Sequence, residues 1–162
     1  SNLNIEKLYL LNFASGDLRK ILDSAKYFKL VKYIYNQYGF IPVIISNPGQ
    51  EFLQENFTLR YLSKSDIPYI KLDTLTIAEI AASIELTRFI ITPDTGIMHL
   101  AMAFKNPIYT IFTYTHPVFV DPLDDQFISV YQKFFQNNLY QIQNISEEVL
   151  LQKIDHLIKL LK

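Results

Sequence analysis

The stretch Arg88-Phe89-Ile90-Ile91-Thr92-Pro93-Asp94-Thr95-Gly96-Ile97-Met98-His99-Leu100-Ala101-Met102-Ala103-Phe104 decides the fold of this chain. Phe89 to Thr92 is a short β-branched and aromatic run, the pattern of a buried strand. Pro93 has no N–H to give to a ladder and should end that strand. Asp94, Thr95 and Gly96 make a tight polar turn, in which Gly96 lets the backbone come close to another group. An apolar helical run follows from Ile97 to Phe104. Strand, glycine turn and helix together aim free backbone N–H groups and the positive end of a helix dipole at an anion. A turn that holds phosphates is one expectation; an ordinary turn capped by Thr95 is the other.

Upstream, Lys7 to Phe13 is a continuous apolar run, as in a strand covered on both faces. The loop Ala14 to Asp17 follows. Leu18, Ile21, Leu22, Ala25, Phe28, Val31 and Tyr35 then fall near helical spacing, which predicts one helix capped by Asp17 and stopped at Gly39. Phe40 to Ser46 reads as a strand. Asn47 and Pro48 look like the cap and first residue of a helix that fades near Leu62. Ile67 to Leu72 is a further short strand. Thr76 to Glu79 matches a capping box, with Ile77, Ile80, Ala81 and Ile84 on the apolar face of its helix.

Downstream, Ile108 to Phe112 is a strand. From Thr113 to Asn144 the chain is rich in Tyr, Phe, Gln and Asn, and only Phe127 to Tyr131 has a strand pattern. Ser146 caps a last helix with Leu150, Ile154, Leu157, Ile158 and Leu161 on one face and Lys153, Asp155, Lys159 and Lys162 on the other. Alternating strands and helices predict an α/β domain with a mostly parallel sheet covered on both faces. Ligands of such sheets lie at the carboxyl ends of the strands, near a topological switch point. The turns Ala14–Asp17, Asn47–Gln50 and Pro93–Gly96 all follow strands and should therefore open onto one edge.

A chain of 162 residues, 49% hydrophobic, fits one domain with its own core. Its net charge of −1 provides no general basic field for nucleic acid. Without cysteine it has neither disulfides nor thiolate metal sites. No apolar run approaches the roughly 20 residues that cross a bilayer. The opening Ser1-Asn2 in place of methionine reads as a cloning remnant, with residues 1–3 outside the domain proper and 4–162 forming it.

Four glycines are too few for either the dinucleotide fingerprint or the P-loop, so a phosphate cradle would use helix ends and a few side chains. Asp94, Thr95 and Gly96 are the first candidates. Ser15 and Arg19 follow, Arg19 one turn along the predicted helix, where a guanidinium meets a phosphate or simply solvent. Glu51, at the start of a helix, is placed for sugar hydroxyls or for the helix dipole alone. His99, one turn beyond Gly96, either faces the ligand or satisfies a buried carbonyl. His116 reads as a loop residue near the same edge, and His156 as solvated. Three such scattered histidines do not suggest a metal site.

At this point the residues resemble a known family. Pro93-Asp94-Thr95-Gly96-Ile97-Met98-His99-Leu100-Ala101, with Asn106-Pro107 after it, is similar to the signature of family 9 glycosyltransferases, the bacterial lipopolysaccharide heptosyltransferases. Asn12 to Arg19 resembles the family's first loop, in which a hydroxyl residue precedes a basic one by four positions. Asn47 to Glu51 resembles its glycine turn ending in an acid, Leu75 to Ala81 its leucine-led helix, and Ile145 to Val149 its closing helix.

The resemblance implies a Rossmann-like, doubly wound domain, the C-terminal and donor-binding half of a GT-B enzyme. It implies diphosphate contacts from Ser15, Arg19 and the backbone of Thr95, Gly96 and Ile97. Glu51 would hold the ribose, the Leu72–Leu75 loop would pass the base, and Asp94 and His99 would orient the donor. The parent enzyme would move a sugar, ADP-heptose by family default, to a lipopolysaccharide core acceptor with inversion and without a metal or other cofactor. The acidic base and acceptor site would lie in an N-terminal half, leaving this half inactive alone. A cytoplasmic setting at the inner face of the inner membrane is implied, as is an inter-domain surface, including part of the last helix, able to drive self-association. Two other readings stand beside it: a sugar-nucleotide epimerase of GT-B fold, and a non-catalytic interaction module.

Overall fold

The computed structural model describes residues 4–136, 139–142 and 145–161. Residues 1–3, which read as a cloning remnant, and Lys162 lie outside them. Six strands form one sheet: β1 (Leu8–Asn12), β2 (Ile41–Ile45), β3 (Ile70–Lys71), β4 (Ile90–Pro93), β5 (Ile108–Ile111) and β6 (Phe127–Val130). Their spatial order is β3-β2-β1-β4-β5-β6. Every adjacent pair runs parallel. This is the Rossmann-like order, with its switch point between β1 and β4.

Among the described residues five α-helices cover the sheet: α1 (Ser24–Tyr38), α2 (Glu51–Arg60), α3 (Ile77–Leu86), α4 (Gly96–Ala103) and α5 (Glu147–Leu160). On one face Tyr9, Leu11, Ile44, Ile91 and Tyr109 pack against Leu30 and Ile34 of α1, Phe57 of α2 and Leu150, Ile154 and Leu157 of α5. On the other, Leu10, Val43, Ile90 and Ile108 meet Ile80 and Ile84 of α3 and Met98 and Ala101 of α4. All five β1 residues are buried, as a strand covered on both faces requires. Tyr109 extends its hydroxyl to the carbonyl of Leu150 at 2.7 Å, tying β5 to α5. Leu150, Ile154, Leu157 and Ile158 of α5 are spent on this core, while Leu160 is 42% exposed.

Several expectations are met closely. The capping box holds, with the Thr76 side chain accepting from the Glu79 amide and Glu79 accepting from that of Thr76. Gly39 ends α1 in the left-handed region at φ 70°. Ser146 caps α5.

Others are corrected. The single helix expected from Leu18 to Gly39 is two pieces: a 3-10 turn at Leu18–Lys20 capped by Asp17, then α1 recapped by Asp23. Asp23 accepts from the amides of Ala25 and Lys26, so a second start signal interrupts the apolar spacing. Leu18, expected inward, is exposed. Asn47 and Pro48 do not begin α2. The Gln50 backbone amide bonds the Asn47 carbonyl at 3.0 Å and Gly49 sits at φ 82°, so Pro48-Gly49 is the centre of a type II turn. The helix starts only at Glu51.

The strand expected over Ile67–Leu72 is reduced to two residues at the sheet edge, where Pro68 cannot donate. Ile77, expected inward, is 76% exposed, because the capping box places it in the first turn ahead of the sheet contact. An antiparallel pair, β7 (Lys133–Gln136) and β8 (Leu139–Ile142), occupies the region with no predicted pattern after Tyr131. Among the described residues no helix is long and apolar enough to cross a membrane.

Candidate functional site at the carboxyl edge of the sheet

Parallel strands bring every post-strand turn to the same edge. The loops after β1, β2 and β4 do converge there and are bonded to one another. Asn12, the last residue of β1, is fully buried. Its Nδ2 donates to Thr92 Oγ1 at 3.0 Å, Thr95 Oγ1 at 3.4 Å and the Ala14 carbonyl at 3.3 Å, while its Oδ1 accepts from the Ala14 amide at 3.0 Å. One side chain therefore clamps the first loop to the β4 turn across the switch point. The Gln50 side chain donates to the Ser15 carbonyl at 2.7 Å and joins the second turn to the first loop. Buried Gln54 donates to the carbonyls of Ile44 and Leu72, fastening α2 to β2 and to the loop after β3.

These bonds also take up the side chain of Thr95. It occupies the N-cap position of α4 but makes no capping bond with its side chain. Its hydroxyl is engaged by Asn12 and lies 3.4 Å from Thr92 Oγ1. The amides of Gly96 and Ile97 find no partner among the described residues. Gly96 does not have a positive φ, and a Cβ built on it meets nothing within 4 Å. Nothing in the chain's own packing demands glycine there, and the face it leaves bare is the open N-terminus of α4.

The charged groups around this end are arranged in pairs. Asp94 is 8% exposed and accepts from Lys20 Nζ at 2.9 Å. Lys20 is a site residue that the sequence reading misses; the only local signal for it is its place beside Arg19. Arg19 stands on the 3-10 turn and not on α1. Its guanidinium forks onto Asp17 and lies 3.9 Å from the centre of the Tyr114 ring. Its carbonyl accepts from Thr113 Oγ1 at 2.6 Å, so the loop after β5 joins the same edge. Ser15 is 2% exposed, its Oγ accepting from the Asp17 amide at 3.3 Å.

Hydrogen bonds from the Arg19 side chain and amide hold the Asp17 carboxyl at a pKa of about 2, below its ordinary 3.8. A depressed carboxyl favours the folded state above its ordinary pKa, and that contribution is lost as pH falls through about 2. An NMR titration of the Asp17 carboxyl should show a midpoint near 2 that rises toward the ordinary value in Arg19→Gln, which keeps only the amide bond. An ordinary midpoint in the unaltered chain would mean that the fork does not persist in solution.

Glu51 is half-buried at the start of α2. Its Oε1 accepts from the Gly49 amide at 3.0 Å and Thr74 Oγ1 at 2.9 Å, linking the second turn to the Leu72–Leu75 loop. The bond of its own amide, followed by these two, lowers its pKa. His99 is exposed on the first turn of α4, so it does not serve as the partner of a buried carbonyl. His116 turns inward on its own loop, Nδ1 accepting from the Val118 amide at 3.1 Å. His156 is exposed on α5. Among the described residues no three His, Cys, Asp or Glu gather as metal ligands. A crevice of about 110 Å³ lined by Met102, Asn106, Ile108 and Phe127 lies at the opposite edge, where β5 and β6 begin. The candidate site is thus an open edge of five bonded loops, with bare helix amides and two cations.

The same arrangement of strands is found in known structures. Escherichia coli ADP-heptose lps heptosyltransferase II superposes with a TM-score of 0.77 at 15% identity, over 98% of this chain and 49% of that one. A glycosyl transferase family 9 protein from Veillonella parvula gives 0.76 at 18% identity, over 98% and 48%. E. coli heptosyltransferase WaaC, solved with ADP, gives 0.73 at 14% identity, over 93% and 44%. The chain thus spans about half the length of these proteins, and the likeness is to one Rossmann-like half of the GT-B architecture. No curated protein sequence matches. The model of glycosyltransferase family 9 (heptosyltransferase) matches residues 6–149, and the chain belongs to that family.

Proposed function

We propose that this chain is the donor-binding half of an inverting glycosyltransferase that takes a sugar from a nucleotide diphosphate, ADP-heptose being the first candidate, to a lipopolysaccharide core acceptor. The observation that carries the reading is the N-terminus of α4, where the amides of Gly96 and Ile97 are free and the Thr95 hydroxyl that could cap Ile97 is engaged by Asn12. Two unpaired amides at the positive end of a helix, with cations beside them, suit a diphosphate. Leaving-group charge would be met there by the helix amides, Ser15 and Arg19, an electrostatic role that needs no divalent ion. The fork on Asp17 uses Nε and Nη2 of Arg19, which leaves other donors of its guanidinium for phosphate oxygens.

In this reading Glu51 holds the ribose through its second carboxylate oxygen, and the Leu72–Leu75 loop passes the base. Asp94 and His99 orient the sugar. The acidic base and the acceptor belong to the other half of the parent enzyme, at the cytoplasmic face of the inner membrane. An ADP complex of a heptosyltransferase with the same fold supports this choice of nucleotide.

Calorimetric titration of the chain with ADP tests the proposal. Weak binding is expected, reduced about tenfold in Arg19→Ala, as for loss of one charge-assisted bond. No heat with the unaltered chain, or equal binding by the variant, would overturn it. Sugar-nucleotide turnover by the parent without any acceptor would instead identify an epimerase.

A further inference from the structure

Asp94 poses an electrostatic problem for any anionic ligand at this edge. Its carboxylate is 8% exposed and immediately precedes the open N-terminus of α4. A carboxylate so placed repels a diphosphate directed at the Gly96 and Ile97 amides, and burial reduces the solvent screening that would blunt the effect. Lys20 is its ion-pair partner, with Nζ 2.9 Å from Oδ2. The Lys20 side chain keeps about a quarter of its surface exposed, at 26% against 9% for that of Asp94. An ammonium carries three donors, so one bond to Asp94 leaves two for a second anion.

The neighbouring cation is placed differently. Arg19 is bound to Asp17 and stacked against Tyr114 at the outer rim, and its side chain is 64% exposed. The two adjacent basic residues are therefore directed to different carboxylates, and the one on the inner carboxylate is Lys20.

We propose that Lys20 is a donor-positioning residue that neutralises Asp94 and bridges it to the terminal phosphate of a nucleoside diphosphate. The inference rests on the nucleotide-binding reading above and adds to it the residue that makes an acidic turn compatible with an anionic ligand. Lys20 also joins the 3-10 turn after β1 to the turn after β4, so the cation is held in place before the ligand arrives.

The test compares ADP and adenosine binding by calorimetry across four forms of the chain. Lys20→Gln should bind ADP about tenfold or more weakly while its adenosine binding stays unchanged, since the lost contact is to phosphate alone. Adding Asp94→Asn to Lys20→Gln should recover part of the ADP affinity, because the unscreened carboxylate is gone. A purely structural role for Lys20 would instead weaken adenosine binding along with that of ADP.

The single variant Asp94→Asn should bind ADP at least as tightly as the unaltered chain, because ADP has no sugar for Asp94 to orient and Lys20 is no longer shared. This arm keeps the test decisive should Lys20→Gln fail to fold. ADP binding by the unaltered chain together with undiminished binding by Lys20→Gln, or weaker binding by Asp94→Asn, would overturn this inference and leave the nucleotide site standing. Absence of ADP binding by the unaltered chain would overturn both.

Discussion

Asn12→Ala is expected to destabilise the chain by about 2–4 kcal/mol and to weaken ADP binding about tenfold or more. The stability loss follows from what the amide satisfies. Its Oδ1 is the partner of the Ala14 amide, and its Nδ2 serves the Thr92 and Thr95 hydroxyls. Asn12, Ala14 and Thr92 are all fully buried, so groups left without a partner pay the desolvation cost, about 1–3 kcal/mol each. Water entering the space left by the side chain would bring the loss toward the lower figure. For a domain of this size the melting temperature should fall by roughly 5–15 °C.

The binding loss has a separate cause. Once Asn12 is gone, the Thr95 hydroxyl is free to cap α4 and compete for the Ile97 amide that the proposed phosphate would take. Melting curves and ADP titration of the same preparation check both effects. A variant that melts within about a degree of the parent and binds ADP equally would show that the clamp across the switch point is dispensable.

Phe89→Ala is expected to cost about 3–5 kcal/mol, the range for deleting a fully buried aromatic ring. The ring lies just ahead of β4 with none of its surface exposed. It stacks on Tyr9 with centroids 4.8 Å apart and planes 3° from parallel, and meets Phe40 edge-on at 5.3 Å. Removing it opens a cavity beside Tyr9, whose hydroxyl is already buried without a partner. Urea unfolding should show a lower midpoint at an unchanged slope.

The variant also serves as a control for Asn12. Phe89 lies at the opposite end of β4 from the candidate site, so ADP affinity should persist wherever the variant remains folded. Loss of affinity in parallel with stability would mean that the binding defect of Asn12→Ala reports unfolding and not the freed Thr95 hydroxyl. A loss below about 1 kcal/mol would mean that the core repacks around the missing ring.

How far these features could be read in advance depends on the range of the forces that produce them. The β4–α4 unit is local: a β-branched run, a proline stop, a glycine and an apolar helix follow one another without interruption, and they fold as their spacing says. The same holds for the Thr76 box and the Gly39 stop. The errors arise where two local signals compete. Asp17 and Asp23 are both helix starts, and apolar spacing alone could not show that the chain obeys both. Pro48 is suited equally to the first turn of a helix and to the second position of a type II turn, and Gly49 at φ 82° decided for the turn. Pro68 limits β3 although the apolar run around it continues, because a missing donor outweighs side-chain pattern in a ladder.

The amino-acid sequence by itself determined the alternation of strands and helices, the parallel sheet that follows from it, and the edge at which its loops open. It also placed Asp94, Thr95, Gly96 and Ile97 at the start of a helix, because periodicity, turn chemistry and capping act over a few residues. Only the tertiary structure decided which groups at that edge are free. Asn12 and Thr95 are 83 residues apart in sequence, and Lys20 and Asp94 are 74 apart. A hydroxyl drawn off by a distant amide leaves a helix end open, and a carboxylate masked by a distant ammonium becomes compatible with an anion. Both are consequences of placing β1 beside β4, a long-range pairing that no local pattern encodes.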